Sequence, residues 1–375
     1  MLCRRSRVGR EGWSAVPVEV PVEKVRQQAV RVLTAWGMPA DLAGITAGAL
    51  VEADLSGIDS HGVGLLPDYE RAVRAGGIDL AARPYVLREG PAVALIDAGA
   101  GFGHPAAEFA MRTAIGRART NGVGIAVVRN SHHFGAAGHY ASLAAERGMV
   151  GMVTSSANEM CGVPTRGSQA RLPTNPIAFA APAGHNPPFL LDMATTTVAA
   201  NKVRVHHLTD SPVPPGWVVD GSGSAVEDSA SAREHIHQRP EGGLTMLGGT
   251  AEMSSHKGYG LGMMAHLLAA TLSGGSFPAA DPAVPGEPDN IGHFLMAVDP
   301  TAFRAAGAFE SDVDRAVDAL HRTPAAGPDP VLVAGDPQAA AREHRERRGI
   351  PMPPALLGQL KGLCGRAGVD YLLEN

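Results

Sequence analysis

Two short histidine-containing segments are the first candidates for chemistry in this sequence. Asp59-Ser60-His61-Gly62-Val63 follows a predicted helix, and Asn130-Ser131-His132-His133-Phe134-Gly135 lies between a predicted strand and a predicted helix. A histidine suits general acid catalysis because its pKa lies near neutral pH, and polar residues at the carboxyl end of a strand commonly face a ligand crevice. Two alternatives stay open: solvated loop histidines, and a helix N-cap formed by Asn130 or Ser131.

Two further segments place polar groups at the ends of predicted elements. Asp192 ends an apolar strand, either as the helix N-cap for the residues that follow or as a buried functional carboxylate. His256-Lys257-Gly258 opens a long apolar helix, and the N–H groups of a helix start together with a lysine suit a phosphate. The alternative for this segment is an ordinary loop-to-helix junction with a solvated lysine.

A glycine-rich segment is similar to a Rossmann phosphate turn without matching it. Gly99-Ala100-Gly101-Phe102-Gly103 follows a predicted strand, but His104 occupies the place of the third glycine. About 20 residues further on, where that fingerprint requires an acidic residue, the chain has Asn121-Gly122-Val123. We interpret the segment as a strand-to-helix turn, and a nicotinamide cofactor is then bound outside the usual dinucleotide fold.

Hydrophobic periodicity predicts an α/β chain in which strands and helices alternate. The predicted helices are 22–36, 39–57, 105–119, 136–147 and 256–272, and the predicted strands are 92–98, 124–128, 149–154, 176–181 and 189–193. The polar segments 224–243 and 276–288 are predicted to be surface loops. Residues 1–20, with Arg4, Arg5, Arg7 and Arg10, are predicted to form a basic, flexible arm.

Composition excludes several classes of protein. The net charge is -5 and the pI about 6.3, which gives no reason to expect nucleic acid as a partner. The longest apolar stretch, 259–272, is too short to span a bilayer. No apolar segment follows the basic start, so we expect no signal peptide. Three distant cysteines are too few for a disulfide framework. We therefore expect a cytoplasmic protein without a membrane partner.

Taken together and in order, these segments make the chain resemble the malate/L-lactate dehydrogenase-like family. That family includes ureidoglycolate, sulfolactate and diketogulonate enzymes and cyclic-imine carboxylate reductases. The resemblance extends from about Val22 to Pro300. It rests on the motifs Asp59-Ser60-His61-Gly62-Val63, Ser131 with His133-Phe134-Gly135, Thr174-Asn175-Pro176, Asp192-Met193-Ala194-Thr195, Gly216-Trp217 with Asp220, His256-Lys257-Gly258-Tyr259-Gly260-Leu261 and Ile291-Gly292-His293-Phe294.

The resemblance implies a family-specific α/β fold with a mixed sheet, distinct from the Rossmann fold, in a homodimer over residues 21–375. It implies NAD or NADP as cofactor, bound by residues of about 130–300, and a small substrate reduced at C=O or C=N. His61 is implied as the acid that protonates the reduced atom, with His133 as second candidate and Ser60 and Asp192 in support. The implied cofactor-binding residues are Thr174, Asn175, Pro176, Lys202, His256, Lys257 and Gly258.

One position departs from the family pattern at the expected substrate site. The family usually has an arginine four residues after the Ser-His-Gly histidine, where this chain has Leu65. Arginine can bind a carboxylate through two parallel charge-assisted hydrogen bonds, and leucine can form none. The substrate is therefore expected to lack that carboxylate or to carry a bulkier apolar group. Tyr69 and Arg71 are assigned to the same site, and Arg71 and Arg74 are candidates to replace the missing arginine.

Two rival functions stay open. One is a relative that binds cofactor but has lost catalysis, which Leu65 supports and which His61, His133 and Asp192 oppose. The other is a metal-dependent hydrolase or lyase, although no close-set ligand pattern such as H-E-x-x-H occurs. Its candidate ligands are Asp59, His61, His132, His133 and His139.

Overall fold

The computed structural model describes residues 17–208, 210–280 and 287–374, and helices and strands alternate along them. The described helices are α1 (Val22–Ala35), α2 (Ala40–Leu55), α3 (Leu66–Arg74), α4 (Gly103–Asn121), α5 (Ala137–Ala145), α6 (Ala200–Leu208), α7 (Ser229–His237), α8 (His256–His266), α9 (Ala308–His321), α10 (Asp336–Arg348) and α11 (Pro354–Ala367). The described strands are β1 (Val18–Val20), β2 (Tyr85–Glu89), β3 (Val93–Gly101), β4 (Val123–Ser131), β5 (Val150–Ser155), β6 (Gly162–Val163), β7 (Ile177–Ala181), β8 (Phe189–Met193), β9 (Val218–Val219), β10 (Gly243–Thr245), β11 (Ile291–Val298) and β12 (Ile350–Met352). None of these helices is both long and apolar enough to cross a bilayer.

The first described strand pairs with a strand from the C-terminal part of the chain. Strand β1 pairs antiparallel with β12, and Val20 is buried. The prediction of a flexible arm over residues 1–20 is therefore wrong for residues 18–20, because pairing with a C-terminal strand orders them. Residues 1–16, which include the four arginines of that prediction, lie outside the described residues.

Seven strands form the central sheet in the order β2-β3-β4-β11-β5-β7-β8. Strands β3 and β4 are parallel and are joined by α4, since a parallel pair needs a crossover connection. The other neighbouring strands in this sheet are antiparallel. The prediction of an α/β chain with a mixed sheet is therefore confirmed.

Helices cover both faces of the central sheet. Along β3 and β4 successive side chains point to opposite faces, as a strand requires. Ile96 and Val128 pack against the alanine-rich helices α4 and α5 on one face. Val127 packs with Ala269, which belongs to the π-helical continuation of α8, on the other. Polar groups are consequently concentrated where the strands end.

A second core joins helices from both ends of the chain. It contains buried residues of α1, α2, α3 and α11, among them Val32, Leu50, Leu66 and Leu363. Phe102, in the turn between β3 and α4, is buried in the same core. The helical layer and the central sheet therefore meet beside the segment that carries His61.

A small third unit corrects one prediction. Strands β6, β10 and β9 form a three-stranded sheet, and α7 packs on it through Ala232 and Ile236. The carboxylate of Asp228 caps α7 by accepting the N–H of Ser231. The prediction that residues 224–243 form a surface loop is wrong. Two apolar residues four positions apart give a helix one apolar face, and packing of that face on the sheet stabilises the helix. Of the other predicted loop, residues 281–286 lie outside the described residues.

Candidate active site

One edge of the central sheet brings together segments that are far apart in the sequence. The end of β4 lies beside the start of β11, with Ser131 opposite Ile291. His293 of β11 lies opposite Ser155 at the end of β5. Thr154 pairs in turn with Ile177, the first residue of β7, and Ile177 with the last residue of β8. The loop that carries His133, the Thr174–Pro176 segment and Asp192 therefore lie along one edge.

The segment with His61 is a tight turn built on a buried carboxylate. Residues Asp59–His61 form one 3-10 turn after α2, and the N–H of Val63 donates to Oδ2 of Asp54 at 2.9 Å. A Cβ on Gly62 would lie 1.6 Å from Oδ1 of Asp54, so only glycine fits there. Burial raises the pKa of Asp54 to about 7, against the opposing effect of the Val63 hydrogen bond. Sequence reasoning missed Asp54, whose one signal is an acid inside an apolar helix.

An arginine from the C-terminal part of the chain stabilises the same turn. Arg345 on α10 donates to the backbone carbonyl of Asp54 and to the carboxylate of Asp59. The Arg345 side chain is only 13% exposed, whereas that of Asp59 is 59% exposed, so solvent screens the ion pair and the largely buried arginine acts mainly by holding the turn in place. The position of His61 thus depends on helices at both ends of the chain.

His61 and His133 form a stacked pair. Their ring centroids are 5.8 Å apart with an interplanar angle of 25°. The Ser60 hydroxyl lies 2.8 Å from Nδ1 of His61, and the Tyr69 hydroxyl lies 2.7 Å from Nδ1 of His133. Burial lowers the pKa of both histidines, so both rings are neutral at pH 7. The structure therefore brings Ser60, His61, Tyr69 and His133 into one cluster.

A buried histidine supports the loop that carries His133. His293 is fully buried and stacks on Phe134 at 4.5 Å between centroids, with the rings nearly parallel at 3°. Its Nδ1 lies 2.8 Å from the Ser155 hydroxyl and its Nε2 2.9 Å from the Ser131 hydroxyl. Burial lowers the pKa of His293 to about 3. The sequence motif containing His293 was recognised without a role, and the structure shows its role in packing.

The glycine-rich turn allows a close backbone approach to the same loop. It joins β3 to α4, as predicted. A Cβ on Gly103 would lie 2.2 Å from the carbonyl oxygen of His132, so glycine is required at this contact. His104 is completely buried beside it, and neither of its ring nitrogens has a hydrogen-bond partner in the described part of the chain. Burial lowers the pKa of His104 to about 3.

His104 should make folding stability depend on pH. Its folded pKa lies below the unfolded value of about 6.5, so the stabilisation is present above pH 6.5 and is lost as pH falls towards 3. Replacing His104 by leucine should therefore reduce the fall in unfolding free energy between pH 7.5 and pH 5 by about 2 kcal/mol. Urea unfolding at the two pH values measures this difference. His344→Leu, at an exposed position of α10, is the control. An unchanged pH dependence in His104→Leu would show that His104 is protonated in the folded state.

The segments predicted to bind cofactor are connected by hydrogen bonds. The N–H of Thr195 donates to the carbonyl of Thr174, and the Asn175 side-chain amide donates to the carbonyl of Gly262 in α8, both at 2.9 Å. Leu247 donates to Thr195, and Gly258 donates to Leu247. Residues 174–176, 192–196 and 256–258 therefore form one connected group.

Several features of this group fit a nucleotide. His256 and Lys257 are exposed at the start of α8, where a cation and a helix N-terminus favour a phosphate. Asn175 is fully buried with φ of 34°, and its Oδ1 has no partner among the described residues. A Cβ on Gly258 would lie 2.3 Å from the Leu247 backbone nitrogen, so this glycine allows the close contact. Lys202 is also exposed, on α6, and its side chain makes no hydrogen bond to this group within residues 17–208, 210–280 and 287–374.

Asp192 interacts with a helix that precedes it in the sequence. Its Oδ2 accepts the N–H of Gly138 in the first turn of α5 at 2.7 Å. A Cβ on Gly138 would lie 2.9 Å from the same oxygen. Burial raises the pKa of Asp192 to about 6. The half-buried Asp192 carboxylate thus caps α5 rather than the residues that follow it. Neither Asn130 nor Ser131 is the N-cap residue of α5, which is Ala136.

The three residues assigned to the substrate site do not all lie on one side of helix α3. Leu65 directly precedes α3 and is half-buried against the helical core, and Tyr69, four residues later, is buried in the same core. Arg71 lies about 200° around the helix from Tyr69. Its guanidinium pairs with Asp68 and the side chain is 73% exposed. Arg74 pairs with Glu70 and is 61% exposed. The structure therefore does not bring either arginine to the histidine pair.

The described residues, 17–208, 210–280 and 287–374, contain no group of three or more His, Cys, Asp or Glu side chains arranged to hold a metal ion. His132 instead pairs with Asp289, and His139 packs edge-on against Tyr140. The metal-dependent alternative therefore has no candidate site in this part of the chain.

Known proteins share both the sequence and the fold. The family model described as malate/L-lactate dehydrogenase matches residues 20–361. Malate dehydrogenase of Pyrococcus abyssi is 37% identical over 358 residues, which cover 95% of this chain and 96% of that protein. The structure of malate dehydrogenase from Pyrococcus horikoshii OT3 matches with a TM-score of 0.84 and 33% identity, over 95% of this chain and 98% of that one. The structure of delta1-piperideine-2-carboxylate reductase from Pseudomonas syringae pvar. tomato matches with a TM-score of 0.77 and 30% identity, over 92% and 99% of the two chains.

The protein has a mixed α/β fold with paired histidines at a sheet edge, and dehydrogenases match nearly the whole chain. It is therefore an oxidoreductase of the NAD(P)-dependent dehydrogenase class. The chain belongs to the malate/L-lactate dehydrogenase family.

Proposed function

We propose that the protein interconverts a C–OH or C–NH group with C=O or C=N in a small molecule bound beside His61 and His133. The observation that carries the proposal is the stacked pair itself, 5.8 Å between centroids, whose His133 loop ends at the same edge of the central sheet as the connected segments 174–176 and 192–196. Positioning the reactants and transferring one proton are the two tasks that such a reaction requires of the protein.

His61 is proposed to exchange the proton with the reacting oxygen or nitrogen. Its Nδ1 contacts the Ser60 hydroxyl, which orients the ring. Because burial lowers the pKa of His61, the neutral ring persists below the pH at which a solvated histidine is protonated. This form accepts a proton during oxidation of an alcohol or amine. In the reductive direction the ring must first take up a proton from solvent, so reduction should be faster at lower pH.

The nicotinamide cofactor, when bound, supplies or accepts the hydride. We propose that Thr174, Asn175, Pro176 and Gly258 contact it through their backbone and the Asn175 amide, and that its phosphates lie near three exposed side chains. Those side chains are Lys202, His256 and Lys257. The Asn175 Oδ1, buried without a partner among the described residues, is available to accept a hydrogen bond from an amide of the cofactor.

Three further properties complete the proposal. The cofactor is bound by residues of about 130–300 in a fold particular to this family rather than in a Rossmann domain, which is supported by the described central sheet, where β3–β4 is the one parallel pair. The protein acts as a homodimer in the cytoplasm. It requires neither nucleic acid nor a membrane as partner.

Leu65 is proposed to change the substrate class. It directly precedes α3 and packs in the same apolar core as Tyr69, whose hydroxyl contacts His133, so we place its apolar side chain on the Tyr69 side of the reacting pair. Cyclic imines and neutral ketones fit an apolar border as well as 2-hydroxy acids do. The similarity to a cyclic-imine carboxylate reductase structure is consistent with a C=N substrate.

The same leucine, Leu65, favours a second candidate function, a relative that binds cofactor without turnover.

Cofactor binding and turnover test the proposal in sequence. Nicotinamide fluorescence should show saturable binding of NADH or NADPH, and Lys257→Gln should weaken that binding about tenfold or more, because a hydrogen bond to a charged phosphate is lost. Lys361→Gln, at an exposed site on α11, is the matched control. Oxidation of the cofactor is then screened with 2-oxo acids, cyclic imines and neutral ketones.

Each outcome of this experiment has a distinct meaning. No binding of either cofactor at millimolar concentration would refute the oxidoreductase proposal. Binding without turnover across the three substrate groups would favour the second candidate. Turnover with at least one group supports the proposed function.

A further inference from the structure

The Nδ1 atom of His133 has two hydrogen-bond partners. The Tyr69 hydroxyl lies at 2.7 Å and the backbone N–H of Gly135 at 3.3 Å. A backbone amide can only donate, so Nδ1 must present its lone pair to Gly135. Tyr69 must then donate as well, because Nδ1 carries no proton. A neutral imidazole with an unprotonated Nδ1 carries its proton on Nε2.

From this geometry we propose that Tyr69 is a positioning residue that, with the Gly135 amide, keeps His133 in the Nε2–H tautomer, so that His133 donates a hydrogen bond to the substrate atom that His61 protonates. The inference rests on the proposed function. It assigns different tasks to two histidines that the sequence left interchangeable. It also moves Tyr69 from substrate contact to control of His133.

Packing fixes the direction of the Tyr69 hydroxyl. Tyr69 is 3% exposed. Its ring lies edge-on to Phe102 at 5.1 Å and to His104 at 5.6 Å between centroids. A buried ring in two perpendicular contacts has little freedom to rotate, so the hydroxyl stays directed at Nδ1.

The backbone conformation of Gly135 is also restricted. It adopts φ of +77°, and a Cβ there would lie 3.0 Å from Nε2 of His104. Both features favour glycine, and together they allow its amide to turn back towards His133.

The surroundings of His133 oppose a charged ring. The charged or titratable groups that act on it are His61, His104, His132 and His293, and each lowers its pKa in addition to the larger effect of burial. No acidic side chain among the described residues hydrogen-bonds to it. Nothing recorded there stabilises an imidazolium, whereas Tyr69 and Gly135 both stabilise the neutral ring. His133 is thus suited to donate a hydrogen bond to an oxygen or nitrogen lone pair. In the described part of the chain its Nε2 has no hydrogen-bond partner.

The tautomer can be measured without substrate. In protein with ¹⁵N-labelled histidine, the resonances that disappear in His133→Gln identify His133. We expect an unprotonated Nδ1 and a protonated Nε2 in the wild type at pH 7. In Tyr69→Phe, which keeps the ring contacts and removes only the hydroxyl, part of the population should move to the Nδ1–H tautomer. A wild type with Nδ1–H would overturn the inference.

Kinetics test the consequence for the reaction. With a substrate found in the screen, Tyr69→Phe should lower kcat about 10- to 100-fold, the range for losing a group that orients a functional side chain. KM for the cofactor should be unchanged. Loss of a hydrogen bond to the lone pair should also raise the pKa of His133, so the acidic limb of the kcat profile should move to higher pH.

Tyr371→Phe is the matched control, because the Tyr371 hydroxyl donates to the carbonyl of Leu357 in α11. It should leave kcat and the tautomer unchanged. An unaltered kcat in Tyr69→Phe would overturn the inference while leaving the proposed function intact. Absence of any turnover in the wild type would refute the proposed function, and the tautomer measurement would still decide whether Tyr69 controls His133.

Discussion

Replacing His61 by alanine is expected to lower kcat by about 10²- to 10⁴-fold, the usual loss when a general acid is removed. The ring lies 5.8 Å from that of His133 and is oriented by the Ser60 hydroxyl, so its loss leaves no equivalent group at that position. Affinity for cofactor should change little, since the connected segments 174–176 and 256–258 do not include His61. Steady-state kinetics and fluorescence titration measure the two quantities.

Two variants make this prediction specific. His344→Ala, at an exposed position of α10, should retain wild-type kcat. His133→Ala should also reduce kcat, but less than His61→Ala, because a lost hydrogen bond costs less than a lost proton donor. If His133→Ala instead causes the larger loss at unchanged cofactor affinity, the two roles are reversed.

Introducing arginine at Leu65 is expected to increase kcat/KM for pyruvate and oxaloacetate about tenfold or more. A hydrogen bond to a charged group contributes about 1.5–3 kcal/mol, and the planar guanidinium can form two of them to one carboxylate. Leu65 directly precedes α3 and packs in the same core as Tyr69, whose hydroxyl contacts His133, so an arginine there is expected to reach towards the histidine pair. Its half-buried position lets the aliphatic stem pack where leucine does.

The wild type should accordingly be poor with these two acids, and Leu65→Met, which adds length without charge, should remain poor. Strain against the helical core or unfavourable charge at the start of α3 would reduce the gain without reversing it. Efficient turnover of pyruvate or oxaloacetate by the wild type would contradict the inferred change of substrate class. The carboxylate would then be bound by a group other than Arg71 and Arg74, both of which form surface ion pairs.

Local signals were sufficient for elements that bury one continuous apolar face. Val25, Ala29, Val32 and Leu33 recur at helical spacing and are all buried in α1. The strand predicted over residues 189–193 matches β8 in both bounds. In such an element the regular spacing of the apolar residues is itself the signal, so the element can be recognised without knowing which other part of the chain packs on it. Motif order across the chain likewise indicated the family and with it the mixed sheet, the dehydrogenase class and the cofactor.

Contacts between distant segments decided the rest. Helix α7 lies in a polar stretch that was predicted to be a loop, and becomes stable because Ala232 and Ile236 pack on a sheet formed elsewhere in the chain. The sequence left two interpretations of Asp192, and its contact with α5 excludes one of them, the N-cap of the residues that follow it. Arg71 is near Leu65 in sequence but turns to the opposite side of α3, since position around a helix depends on spacing rather than proximity.

The sequence by itself therefore determined which residue types were present and in what order, which was enough for the class of protein. Only the tertiary structure placed the Tyr69 hydroxyl and the Gly135 amide at one nitrogen of His133. The physical reason is that a hydrogen bond depends on distance and direction between atoms. Between residues as far apart in the sequence as 69 and 133, packing sets both.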